Sequence, residues 1–224
     1  MIELKHIDLP PDEALRDQIQ LICVNHFAEL SALPLPASNP LQALYQYVLG
    51  FELHRYFERM NEATHAKPRW VLAFDEETQS LLGFALYVPY LDQHEACALL
   101  KLWVDPARRK QGIGSQLVQA IHMRYPFVNV ACRADQAEYF VRQGFTPLRA
   151  HGPQVLLNTS LNQPDGALML EPLEPIFSSK HAQLIQQYLL KQHGVSAMKY
   201  AYQQRDRLLK ELGRKATSWV DQHL

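Results

Sequence analysis

The sequence has almost no charge imbalance: 22 Lys and Arg stand against 23 Asp and Glu, for a formal net charge of −1. Without a strong global field to draw phosphate, the composition argues against a dedicated nucleic-acid binder, although local basic patches stay open. Cysteine is scarce. Cys23, Cys97 and Cys132 are odd in number, far apart and set in apolar surroundings, which excludes a secreted disulfide framework. They read as small core residues in a reducing compartment. No apolar run approaches the roughly 20 residues that span a bilayer, and no basic stretch followed by an apolar one opens the chain. These absences predict a cytoplasmic protein without a membrane partner. Internal repeats and low-complexity tracts are also missing. So are three common catalytic signatures: G-x-G-x-x-G fails because its third position is Leu117, and neither a P-loop nor G-x-S-x-G occurs.

What is present is ordinary globular composition, 47% hydrophobic and 20% charged over 224 residues. That length suits one large domain or a domain with an appendage. Residues 2–8 alternate as a strand does. Pro10 and Pro11 introduce a helix with Asp12 in its first turn, where a carboxylate suits the positive end of the dipole. A three-proline stretch, S-A-L-P-L-P-A-S-N-P, reads as a loop. A second helix runs from about Leu41 to Asn61, with Gly50 as a candidate break. From Trp70 the period changes to that of strands. W-V-L-A-F and S-L-L-G-F-A-L-Y-V flank a turn as a hairpin, and A-C-A-L-L-K-L-W-V reads as a strand buried on both faces. A helix from about Ile113, a strand at 127–132, and a short helix capped by Gly144 follow. Later strands include A-L-M-L at 167–170. The last fifty residues are helical, with Ser178 or Ser179 capping one helix, Gly194 ending it and Ser196 capping the next.

The junction of the buried strand and the next helix reads V-D-P-A-R-R-K-Q-G-I-G-S. A helix start leaves backbone N–H groups without partners and carries partial positive charge, so it binds phosphate where nothing blocks approach. Gly112 and Gly114 remove Cβ atoms at that place and permit positive φ. Arg109 and Lys110 can add charge from the flank. The residues spell R-x-x-G-x-G, and about thirty positions later A-E-Y-F-V-R-Q-G-F-T-P-L follows. Together, with these elements around them, they resemble the coenzyme A pyrophosphate loop and the later helix of the GNAT superfamily of N-acetyltransferases. The resemblance covers residues 2–171.

It implies a mixed α/β (α+β) fold: a central, mostly antiparallel sheet flanked by helices, with a C-terminal helical extension. The corresponding division is 1–174 for the acyltransferase domain and 175–224 for the extension. It implies acetyl transfer from acetyl-CoA to an amine by direct attack in a ternary complex, without a metal. The pantetheine arm pairs with Leu102, Trp103 and Val104, where a backbone N–H polarises the thioester carbonyl. The phosphates meet Arg109, Lys110, Gln111, Gly112, Ile113, Gly114 and Ser115, and Phe140 lies beside the cofactor.

The chain departs from the family at the usual general acid. A tyrosine is expected four residues before the glycine of G-F, but Phe140 stands there and the tyrosine is Tyr139. Neighbouring helix residues point about 100° apart, so a shifted helix, another hydroxyl or unassisted departure of the thiolate all stay open. The candidate catalytic groups are Tyr139 and, as base, Glu95, with His94, Glu52 and His54 as further basic groups. Lys101, the one charge in its strand, snorkels or faces the cleft. The acceptor is a small-molecule or peptide amine, and a second copy of the chain is a candidate partner. A non-catalytic acyl-CoA sensor on the same fold is the alternative that Phe140 motivates.

Overall fold

The structure, a computed structural model, describes residues 1–160 and 166–224. In chain order the elements are β1 (Ile2–Ile7), α1 (Glu13–Asn25), α2 (Phe27–Leu30), α3 (Gln42–Arg59), β2 (Arg69–Asp75), β3 (Leu81–Pro89) and β4 (Ala96–Val104). They continue with α4 (Ile113–His122), β5 (Phe127–Cys132), α5 (Ala134–Val141), β6 (Thr146–His151), β7 (Gln154–Asn158), α6 (Glu174–Phe177) and α7 (Lys180–His223). The strands form one sheet in the order β1-β2-β3-β4-β5-β7-β6. Every neighbouring pair is antiparallel except β4 and β5. This is the mixed, mostly antiparallel sheet that the resemblance implies.

The centre of the sheet is buried on both faces, which is why β3 is apolar throughout rather than alternating: all nine of its residues are buried. One face carries α1, α3 and most of α7 over Leu72, Phe84, Leu86 and Trp103. An aromatic chain crosses that face, with ring centroids 4.8 Å apart for Phe57–Trp70, 5.7 Å for Trp70–Phe84, 5.4 Å for Phe84–Trp103 and 5.3 Å for Trp103–His26. Such pairs add about 0.5–1.5 kcal/mol each beyond area burial. Truncating Phe84, which is fully buried, would cost roughly 3–5 kcal/mol. The opposite face carries α4, α5 and the C-terminal end of α7.

Local sequence accounts for the helix ends. Asp12 caps α1 by accepting the Leu15 N–H at 2.9 Å, and Ser179 caps α7 by accepting that of Ala182 at 3.2 Å. Gly144, at φ 88°, takes the left-handed position after α5. Two expectations need correction. Gly50 does not interrupt α3; it lets α1 approach, since a Cβ there would lie 3.3 Å from Val24 Cγ2. Residues 167–170 do not join the sheet. The carbonyl of Ala167 accepts from Leu91 N–H at 2.8 Å, and that of Met169 accepts from the Arg59 guanidinium at 2.7 Å, so no strand ladder is left for them.

The helix kinks at Gly194, whose φ of 77° and ψ of 164° divide α7 into two helical parts. The part before Gly194 contributes Ala182 and Leu189 to one core; the part after it adds Met198 and Ala201 to that same core and Ala216 and Val220 to the other. The two cores are thereby joined across the β6–β7 end of the sheet, where Gly213 lies close to the Gly152 carbonyl.

Candidate active site

Parallel pairing between β4 and β5 covers Ala96–Leu99 against Phe127–Val130 and then stops. β4 runs on to Val104 without β5 beside it. The reason lies in β4 itself. Opposite β3, Tyr87 pairs with Leu99 and Leu86 with Lys101, so Leu100 is an extra residue, a bulge that bends the strand and changes which face each later residue meets. Asp105 N–H donates to Leu82 O at 2.9 Å. Counting back from there, Trp103 turns its main chain toward β3, while Leu102 and Val104 turn theirs into the opening beside β5. Trp103 itself is buried at 6% exposure.

Below the opening, Asp105 shapes the loop by accepting the Ala107 N–H at 3.0 Å. Lys110 (φ 62°) and Gly112 (φ 81°) then take left-handed conformations. For lysine this costs about 1–2 kcal/mol, strain of the sort that collects at functional sites. α4 starts at Ile113 with no side-chain cap, unlike α1 and α7. Its first intrahelical bond is Gln116 N–H to Gly112 O at 3.0 Å, which leaves the N–H groups of residues 113–115 without helical partners.

The two glycines serve different ends. A Cβ on Gly112 would meet only Gln116 Nε2, at 3.9 Å, so the space outside it is open. A Cβ on Gly114 would stand 2.7 Å from Tyr139 Oη, so that space is taken by the protein's own phenol. The Tyr139 hydroxyl is shielded from solvent and makes no well-formed hydrogen bond. Burial raises its pKa, and the neighbouring Ser115 side chain partly offsets that rise. Phe140 turns inward to a core edge against Phe145, with ring centroids 5.5 Å apart.

A short turn bridges the mouth of the opening. The Arg109 guanidinium donates to Val104 O at 3.1 Å and to Glu29 Oε2 at 2.5 Å. From the β5 side, Arg133 Nη1 donates to the carbonyls of Ala28, Glu29 and Ser31 at 3.1, 3.4 and 2.8 Å. Gln136 adds a bond to Glu29 O at 2.8 Å. α2 is thus tied to both banks. Lys110, by contrast, has no ion-pair partner among the described residues.

On the α1–α3 face, the bulge aims Lys101 at α3, where its ammonium meets Glu52 Oε2 at 3.3 Å. Cys23 lies beside this pair with no exposed surface; burial pushes its thiol up to about 12. Glu95 and His94 are exposed at the other end of β4, where β5 still pairs, and His94 packs on His65 with ring centroids 4.4 Å apart. His54 faces solvent beside Glu58. Tyr87 and Tyr90 are buried, the latter bonded to Asn129. No group of three or more His, Cys, Asp or Glu able to hold a metal occurs among the described residues.

Residues 37–126 match the model of the Acetyltransferase (GNAT) family. That match spans less than half of the chain and is a likeness to the family. A search of curated protein sequences finds no match. Among solved structures, the PaiA N-acetyltransferase of Thermoplasma acidophilum, crystallised with coenzyme A, superposes with a TM-score of 0.55 at 10% identity. The match covers 71% of this chain and 99% of that one, a likeness of fold. A GNAT-family acetyltransferase of Staphylococcus aureus MU50 gives a TM-score of 0.49 at 13% identity, covering 71% of this chain and all of that one.

The residues from Leu102 to Ser115 come together as one bank of the opening. A nucleotide thioester suits this bank: an uncapped helix start for a diphosphate, an open face at Gly112, and main-chain groups of Leu102 and Val104 along the strand. Glu95 is not brought to it. Glu29 gave no signal in the sequence, and Glu52 and Lys101 had none beyond being charged. The strand pattern alone would have put Lys101 on the α4 face.

Proposed function

We propose that the protein is an acyl-CoA-dependent N-acyltransferase, with acetyl-CoA as donor and an amine as acceptor, acting in the cytoplasm. The observation that carries this reading is the uncapped start of α4 behind left-handed Gly112, placed directly below the opening between β4 and β5.

Acetyl-CoA would supply an activated acyl group. The N–H groups of residues 113–115 would hold its diphosphate, with Lys110 adding charge and Arg109 joining on release from Glu29. The Leu102 and Val104 main chain would align the pantetheine arm, and a Leu102 or Val104 N–H would stabilise charge developing on the carbonyl oxygen. An amine is almost fully protonated at neutral pH, so a base is needed. Glu52, on the α3 side of β4, is better placed than Glu95 to take that proton, directly or through water. Tyr139 points at the loop beneath Gly114 rather than along the strand, and Phe140 carries no hydroxyl. The thiolate therefore leaves with its proton drawn from water.

Gly112→Glu puts bulk and a negative charge where the diphosphate would sit. Calorimetry should show at least a hundredfold loss of acetyl-CoA affinity with the circular-dichroism spectrum unchanged; equal affinity would end this reading. The position of Phe140 favours one other reading, a non-catalytic acyl-CoA sensor. Acetyl-CoA binding without coenzyme A release across a broad amine panel would select it.

A further inference from the structure

Glu52 and Lys101 have unused capacity. One carboxylate oxygen meets one ammonium at 3.3 Å, and among the described residues neither group has another hydrogen-bond or ion-pair partner. Their side chains are 14% and 13% exposed. A pair taken so far out of water regains its lost hydration only when the remaining lone pairs and protons are also satisfied, so stability is a weak reason for it. Its surroundings supply little charge: Cys23 is a neutral thiol, and the Tyr56 hydroxyl is engaged by Glu171 N–H at 3.1 Å. On the same face of β4, two residues along, Trp103 holds a buried indole N–H with no partner. The pair also stands on the residue next to Leu102, whose main chain faces the opening.

We propose that the acceptor is a zwitterion, an amino acid or a small molecule like one, whose carboxylate takes Lys101 from Glu52 while its ammonium takes Glu52. This inference rests on the transferase reading above. Exchange of partners keeps every shielded charge paired: one anion and one cation arrive where one cation and one anion already stand. A plain amine brings a second cation and leaves Lys101 and the ammonium competing for a single carboxylate. An amino-acid amide suffers the same mismatch. Selectivity thus comes from the charge left over, a penalty that buried unpaired groups make large.

The chemistry balances. The bound ammonium gives one proton to Glu52, and the freed lone pair forms the C–N bond at the thioester carbonyl. The C–S bond breaks with its electrons on sulfur. The second proton of the nitrogen ends on the sulfur by way of water, and Glu52 returns the first to solvent.

The test compares matched acceptors on the intact protein: each of the common amino acids, its amide and its decarboxylated amine, followed by coenzyme A release. At least one amino acid should exceed its amide and amine tenfold or more in kcat/KM, and Lys101→Met should erase that preference. Calorimetry of the preferred amino acid with the coenzyme A complex gives a second readout, a tenfold or greater weakening in Lys101→Met. The wild-type comparison stands even if that variant folds poorly. Equal rates for acid and amide, a preference that survives Lys101→Met, or no amino acid that binds or reacts would overturn the inference. If acetyl-CoA itself does not bind, the transferase reading falls and the inference with it. If acetyl-CoA binds and plain amines react best, only the inference falls.

Discussion

The hydroxyl oxygen of Tyr139 lies 2.7 Å from the place a Cβ on Gly114 would occupy. Gly114 is therefore fixed by α5 rather than by a ligand. Gly114→Ala should destabilise the fold by about 1–3 kcal/mol, the usual result of overpacking. Removing the oxygen removes the clash, because the next ring atom, Cζ, is 3.5 Å away. Tyr139→Phe should then recover most of that loss in the double variant. Urea denaturation of the four proteins in the cycle checks this, and strictly additive effects would refute it.

Glu29 holds Arg109 as an anion would. The pair is about 40% exposed on each side, so its share of stability is small, about 0–1 kcal/mol. Glu29→Gln should leave the melting temperature nearly unchanged yet tighten acetyl-CoA binding two- to tenfold at low salt. The gain should shrink at 1 M salt, where the screening length falls to about 3 Å. Affinities measured at both ionic strengths decide it.

Arg133 closes the other bank. Its guanidinium is 9% exposed and satisfies three carbonyls of the α2 segment while pairing with Asp135. Arg133→Ala strands those carbonyls and should cost about 2–3 kcal/mol. Amide exchange should accelerate at residues 27–31 before it does in the sheet. Uniform acceleration throughout the chain would contradict the local role.

The buried thiols set an alkaline limit. Burial pushes Cys23 and Cys132 up to about 12 from 9.0 and raises Cys97 as well. A folded state that keeps its protons longer than the unfolded chain binds more of them between those values. Stability is then fully present below about pH 9 and declines as pH rises toward about 12. Chemical denaturation across that range should show the decline, with a smaller slope in Cys23→Ala. Iodoacetamide should label these thiols only after denaturant is added.

The sequence alone carried the sheet's central strands, helix starts near Asp12 and at Ser178 or Ser179, the cap at Gly144 and the loop at Gly112. Each is a local property: an unbroken apolar run, a side chain that reaches its own backbone, or a φ that only glycine adopts cheaply. Tertiary structure decided which side chains face one another. The extra residue at Leu100 reverses the alternation of β4, so Lys101 meets Glu52 on α3 instead of the α4 core. No periodicity records a bulge, because it arises from pairing with a distant strand. Likewise Gly50 reads as a break until α1 is packed on it, and 167–170 read as a strand until Leu91 and Arg59 claim their carbonyls. Glu29 meets Arg109 only because the fold brings α2 across 80 residues of sequence to the loop before α4.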